Sequence, residues 1–123
     1  MCRISDYRNL DVWKKAHSLA LDMYRVSREL PTSERYGLQS QIRRSAASIA
    51  ANIAEGSGRS TDRDFARFLS TAIGSACELE YQLLLGQDLG YPDEDVARPA
   101  RNDVSEVRRM LKALRGYLKL TDD

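Results

Sequence analysis

Three observations predict an all-α fold, an antiparallel up-down four-helix bundle. Four segments carry apolar residues at alternating steps of three and four, the spacing that places them on one side of an α-helix. No segment alternates apolar and polar residues as a half-buried strand does. The breaks between segments are short and marked by Pro or Gly, so consecutive helices must turn back on one another. The composition agrees, since 30% charged residues, 7% aromatics and only three prolines in 123 residues favour helix over strand. That length is enough for a single domain (1–123) around one core.

The first helix, about residues 10–30, is set by Val12, Ala16, Leu19, Met23, Val26 and Leu30. Asn9 is its candidate N-cap, and Pro31 ends it because a proline drives the preceding residue out of helical conformation. Trp13, His17, Ala20 and Tyr24 form a second stripe beside the first. The second helix, about 34–56, follows "PTSE", where Thr32 or Ser33 can cap and Glu34 suits the positive end of the helix dipole. Its stripe is Leu38, Ile42, Ala46, Ile49 and Ile53, and Gly56 and Gly58 are expected to stop it in the left-handed conformation.

The third helix, about 61–90, opens with Thr61 and Asp64 in a loose capping box. Phe65, Leu69, Ala72, Ala76, Leu79, Leu83 and Gly86 make its main face, which Phe68, Ile73, Cys77 and Leu84 widen. Gly90, before Tyr91-Pro92, ends it. The fourth, about 93–120, carries Val104, Val107, Leu111, Leu114 and Leu118. Pro99 removes one helical hydrogen bond and crowds the turn before it, so a kink or break is expected there, with regular helix from about 100 to 120.

The stretch "SQIRRSAASIAANIAEGSGRS", residues 40–60, has only three large apolar side chains, Ile42, Ile49 and Ile53. Gln41, Ser45, Ser48, Asn52 and Glu55 follow one another at steps of 4, 3, 4 and 3, which makes them a polar seam on one helix face. This predicts a hydrogen-bonded contact within the bundle or between subunits. Buried polar groups require partners, and Tyr24, Tyr81 and His17 are the candidates for Asn52 and Glu55.

Arg43 and Arg44 cannot both face the core. They form either a phosphate-binding patch or ion pairs with Glu78 or Glu80. Arg59, Arg63 and Arg67 continue the basic character, the last two at i, i+4, and guanidinium groups bind phosphate bidentately. The net charge is only +1, but residues 1–67 hold 12 Lys/Arg against 8 Asp/Glu and residues 68–123 hold 7 against 10. A local basic face is therefore compatible with a near-neutral chain.

Catalytic and metal chemistry find little support. His17 is the sole histidine, so a Ser/His/Asp or Cys/His set and a metal site would all depend on it. "GSGRST" lacks the strand and the Lys-Ser/Thr ending of a phosphate loop. No enzyme, metal or cofactor is predicted. Cys2 and Cys77 have no paired spacing and read as reduced thiols. The first residues lack the apolar core of a signal peptide, and no apolar run approaches the ~20 residues of a membrane span. A cytoplasmic protein without membrane partners is expected.

The run "LDVWKKAHSLALDMYRVSRELPTSERYGLQSQIRRSAASIAANIAEGSGR", continued by "DFARFLSTAIGSACELEYQLLLGQDLGY", resembles the bacterial four-helix-bundle proteins encoded in intervening sequences of large-subunit ribosomal RNA genes. The likeness covers roughly residues 7–91, and its specific core is the pattern IRRxxxSIxANIAEGxGR. Here that pattern is met by Arg43, Arg44, Ser48, Ile49, Ala51, Asn52, Ile53, Ala54, Glu55, Gly56, Gly58 and Arg59. Ala50 stands where many members have proline, so a family kink is expected to be absent. A similar branch is the accessory variability determinant protein of diversity-generating retroelements, a partner of reverse transcriptase. The resemblance implies a ring-shaped homopentamer, in line with apolar stripes broader than one four-helix core can bury.

Two functions follow. One is a non-enzymatic, self-assembling accessory protein that binds RNA or DNA backbone through Arg43, Arg44, Arg59, Arg63 and Arg67. The other is an oligomeric adaptor that binds another protein, such as a reverse transcriptase, and no nucleic acid.

Overall fold

The computed structural model describes residues 6–91 and 93–118. A 3-10 turn, Tyr7–Asn9, leads into α1 (Asp11–Ser27), and a second, Thr32–Glu34, precedes α2 (Leu38–Ser57). Then come α3 (Asp62–Asp88) and α4 (Glu94–Tyr117), with no strand among the described residues. Each helix packs on its neighbours in the chain, and α4 closes the bundle against α1.

Side-chain pairs between helices give the direction of each. Ser48 meets Ser75 and Ser45 meets Glu78, so α2 and α3 run in opposite senses. The pairs Glu80 with Arg108 and Ser70 with Arg115 do the same for α3 and α4. Lys15 with Glu106 at one level, and Val26 beside Val96 at another, make α1 and α4 antiparallel. The all-helical, four-helix expectation therefore holds.

The core is built from the predicted stripes. Leu19, Met23, Ile42, Ile49, Ile53, Phe65, Leu69, Leu79, Leu83, Val104, Val107 and Leu111 are buried almost completely. Val26 and Leu114 are only partly buried at its edge. Burying a side chain of this kind is worth roughly 1.5–3 kcal/mol, which is the main force joining the four helices. On α3 the predicted widening is uneven, because Ile73 is buried whereas Cys77 and Leu84 are exposed. Cys2 and Leu120 lie outside the described residues.

Several ends differ from expectation. Asn9 does not cap α1: it belongs to the 3-10 turn, which Asp6 caps by accepting from the Arg8 N–H, and Leu10 stands at the α1 N-cap. Neither Thr32 nor Ser33 caps α2. Glu34 reaches forward instead, and its carboxylate accepts from the Leu38 N–H at 3.0 Å and from the Tyr91 hydroxyl at 2.8 Å. One side chain thus satisfies a free amide at the start of α2 and ties the α1–α2 connection to the α3–α4 connection.

Gly56 and Gly58 do not end α2 by left-handed geometry, since the sole positive φ among the described residues is that of Gly90. Gly56 lies inside the helix, where a Cβ would sit 2.7 Å from the Phe68 Cβ and 2.9 Å from the Phe65 ring. Its role is close approach between helices. Gly90 (φ 95°) behaves as predicted. Tyr91 N–H donates to Gly86 O at 2.9 Å and Gly90 N–H to Gln87 O at 3.0 Å, the paired bonds that close a helix through a left-handed glycine.

Helix α4 runs unbroken through Pro99, where a kink or break was expected. The proline lies in the second turn, so it removes a single bond, to the carbonyl of Asp95. Both residues are exposed, and water can take the place of the lost donor.

Two outcomes test these assignments. Gly56→Ala should destabilise the bundle by about 1–3 kcal/mol through overpacking against Phe65 and Phe68, read as a lower urea midpoint with an unchanged slope. The hydrogen bonds from Leu38 and Tyr91 hold the Glu34 carboxyl below its ordinary pKa of 4.5. A depressed carboxyl contributes stability above its unfolded pKa and loses it as pH falls through the folded value. Glu34→Gln should therefore be less stable than wild type at neutral pH, and the gap should narrow below about pH 4.5. A gap independent of pH would exclude the ionised cap.

Candidate nucleic-acid interface

The five candidate arginines separate into two groups. Arg43 and Arg44 lie in the second turn of α2 and Arg59 just beyond its end, so roughly 20 Å of helix, at 1.5 Å per residue, divides them. They do not form one patch on a single chain.

Arg43 has a structural task. Its Nε donates to the Ser27 hydroxyl at 2.8 Å and a terminal nitrogen donates to Tyr24 O at 3.2 Å, with the guanidinium over the Tyr24 ring at 4.8 Å. Gln39, a turn earlier, donates to Ser27 O at 2.9 Å. Together they satisfy carbonyls at the C-terminus of α1, and a cation there is also favoured by the helix dipole. The expected ion pairs with Glu78 or Glu80 are absent: Glu78 accepts from Ser45 and Glu80 pairs with Arg108. Arg44 is exposed, with no hydrogen bond or ion pair among the described residues.

At the other end of α2, Arg59 pairs with Glu55 at 2.9 Å and lies 4.6 Å from the centre of the Phe68 ring. Arg67 lies over the same ring at 5.0 Å and is held by Asp64. The ring is thus contacted by two cations, each worth roughly 0.5–1 kcal/mol at an exposed site. Arg63 and Arg67 line an open groove with Thr61, Asp64, Ala66, Ser70 and Arg115. Arg115, from the last turn of α4, donates to the Ser70 hydroxyl at 3.0 Å.

Three guanidinium groups from two helices therefore converge on one groove that holds a single carboxylate. Arg115 was missed in the sequence because it is 48 positions from Arg67. Only antiparallel packing of α3 on α4 brings them together. The groove also lies at the start of α3, where Thr61 Oγ1 accepts from the Asp64 N–H at 3.1 Å, so the positive end of that helix adds to the local field.

The polar seam is realised in part. Ser45 is buried and donates to Glu78 at 3.1 Å, and the Ser48 and Ser75 hydroxyls meet at 2.9 Å. Asn52 does not reach Tyr24, Tyr81 or His17. Its amide donates to Ser48 O at 2.8 Å and to Ser48 Oγ at 3.0 Å on its own helix. Gln41 and Glu55 are exposed, and Glu55 serves as the partner of Arg59 and not as an internal anchor. His17 is exposed too, stacked on Trp13 at 4.9 Å with 7° between the rings. No cluster of three or more His, Cys, Asp or Glu suited to a metal ion occurs among the described residues. None of their helices is long and apolar enough to cross a membrane.

The sequence model of the 23S rRNA-intervening sequence proteins matches residues 8–113. The chain belongs to that family. The match takes in the whole basic groove apart from Arg115, which lies two residues beyond its end. Among solved structures, the chain is similar to the crystal structure of a protein with unknown function from the S23 ribosomal protein family of Bacteroides thetaiotaomicron VPI-5482. The TM-score is 0.78 at 28% identity, over 85% of this chain and 97% of the other. No curated protein matches it.

The two adjacent arginines of the family pattern should behave differently. Arg43→Ala should cost about 1–2 kcal/mol by stranding the end of α1, whereas Arg44→Ala should leave the thermal midpoint within about 1 °C. Equal losses at both positions would contradict the capping role of Arg43.

Proposed function

We propose that this member of the family is a non-enzymatic, self-assembling bundle that binds the phosphate backbone of nucleic acid. The observation that carries this reading is the groove between α3 and α4, where Arg63, Arg67 and Arg115 face one space beside the Ser70 hydroxyl. Guanidinium forks on a phosphate chain form charge-assisted, bidentate bonds. The pair of Arg67 with Asp64 is exposed, so phosphate can compete for the guanidinium at little cost. Arg59 extends the same surface across Phe68. Arg43 leaves the set of ligands because its guanidinium is held against Ser27 and Tyr24, and Arg44 stands apart.

The family's description, an intervening sequence of 23S rRNA, makes RNA the first ligand to test. No base-reading pocket accompanies the groove, so recognition is of backbone and not of sequence. A single groove binds weakly. Assembly into a ring, the homopentamer expected from the resemblance, would repeat it and raise avidity without new contacts. Exposed Tyr81 and Leu84 on α3, at 60% and 47%, are suited to such a subunit contact.

The expected result is retention of RNA and duplex DNA at low salt by an assembly several times heavier than the 13.9 kDa chain. Affinity should fall steeply with salt, by a log–log slope of about 0.9 for each duplex phosphate neutralised and about 0.7 for each on a single strand. The combined Arg63→Ala, Arg67→Ala and Arg115→Ala variant should reduce that slope and leave the light-scattering mass unchanged. No retention of either nucleic acid at ~50 mM salt would favour the protein-binding adaptor instead.

A further inference from the structure

A second groove lies at the opposite end of the bundle, between α1 and α4, the least intimately packed pair of neighbouring helices. Its floor is apolar, formed by Val26 of α1, Tyr91 of the α3–α4 connection, and Val96 and Pro99 of α4. Val96 is 37% exposed, so the floor is open to a partner. The trough consists of two adjoining hollows that share Arg25, Val26 and Val96, about 400 Å³ beside the connection and about 250 Å³ farther along α4. From Asp93 to Asp103 it follows roughly 15 Å of helix, or about three turns.

The rim is acidic in an unusual way. Most carboxylates among the described residues are engaged, for example Asp6 by Arg8, Glu55 by Arg59, Glu80 by Arg108 and Glu94 by Arg101. Asp11, Glu29, Asp88, Asp93, Asp95 and Asp103 have neither an ion pair nor a side-chain hydrogen bond among the described residues. Four of these six, Glu29, Asp93, Asp95 and Asp103, line this one trough. The single cation there, Arg25, is held by Asp22.

The helix dipole explains only part of the rim. Asp93 and Asp95 stand at the start of α4, where negative charge is favoured. Glu29 follows the end of α1, where the dipole disfavours a carboxylate, and Asp103 lies half-buried in the middle of α4. Neither position benefits the isolated chain.

We infer that the α1–α4 trough is a docking site for a cationic amphipathic helix of a partner protein. An apolar floor three turns long fits anchors at i, i+3 or i+4 and i+7, while flanking Lys or Arg side chains supply the charges that the rim lacks. The nearest match on the chain itself is the outer face of α1, with Lys14, Leu21, Tyr24 and Arg28. That face is on the helix that forms one wall of the trough. A second copy entering by it would also carry its own Asp22 and Glu29, which adjoin Leu21 and Arg28 in the chain, toward a rim that already holds the same two carboxylates. A separate protein carries no such penalty. The site is independent of the nucleic-acid groove and stands or falls without it.

A fluorescent Leu/Lys peptide of about 18 residues, long enough to form an amphipathic helix, is the probe. It should bind the full chain at micromolar concentration, and the matching Leu/Glu peptide should not. The combined Glu29→Gln, Asp95→Asn and Asp103→Asn variant, near-isosteric and on the surface, should weaken binding by ~10-fold or more with an unchanged circular dichroism melt. Val96→Ser should weaken it separately through the floor. Amide shifts in NMR should centre on Val26, Gly90 and Val96. Equal binding by the triple variant, shifts centred on Arg63 and Arg67, or no binding at millimolar peptide would overturn the inference. So would a change in sedimentation mass of the triple variant without peptide, because the trough would then hold a second copy.

Discussion

The contact between α2 and α3 constrains everything else in this molecule. Helices normally pack 8–10 Å apart, at a distance set by the side chains between them, and here those side chains are small. On α2 the contact is made at Ser45, Ser48 and Gly56, with Ser75 opposite on α3. At Gly56 the approach leaves no room for a methyl group, because the Phe68 Cβ and the Phe65 ring occupy the space. Gly56 thus selects the level at which Phe65 and Phe68 pack, and the rest of the specificity comes from polar pairs. The hydroxyl pair Ser48–Ser75 and the bond from Ser45 to Glu78 supply it, since a shift by one turn would leave buried Ser45 without its acceptor.

With that register set, the charges fall into place. Phe68 comes between Arg59 and Arg67, and the start of α3 is presented beside the last turn of α4, where Arg115 waits. At the far end, Glu34 bridges the two connections through Leu38 and Tyr91, and the trough between α1 and α4 opens beside Tyr91. A chain with a net charge of +1 thus has a basic groove at one end and an acidic one at the other. Each of the two long-range features depends on the antiparallel closure of α4, the helix whose sequence says least about its role.

Arginine is used here in two ways that sequence cannot separate. Arg43 and Arg44 are adjacent and alike in composition, yet helical geometry turns neighbours about 100° apart. One points at the end of α1 and becomes a cap, while the other faces outward. Arg59, Arg63 and Arg67 read as a basic row with Asp62 and Asp64 close by, but Glu55 and Asp64 pair with two of the three, and the groove owes its third guanidinium to a distant helix. The family match and the similar crystal structure fix the kind of bundle, and the positions of these side chains supply the chemistry.

The sequence by itself determined the four helices and their buried faces, because apolar periodicity is a local property that any partner surface must accept. It also marked Thr61 as a cap and Gly90 as a terminator, where the chain's own neighbouring atoms decide the outcome. It misplaced Asn9, Thr32 and Ser33 as caps, and Gly56 as a stop signal, because those assignments turn on atoms from elsewhere in the fold or on a choice between two local turns. Gln41 and Glu55 share the spacing of Ser45 and Ser48 but not their burial. Arg115 in the basic groove, the acceptors of Arg43 and the unpaired carboxylates of the trough were decided by tertiary structure alone. They arise from contacts between residues tens of positions apart, and such contacts exist only once the helices have packed.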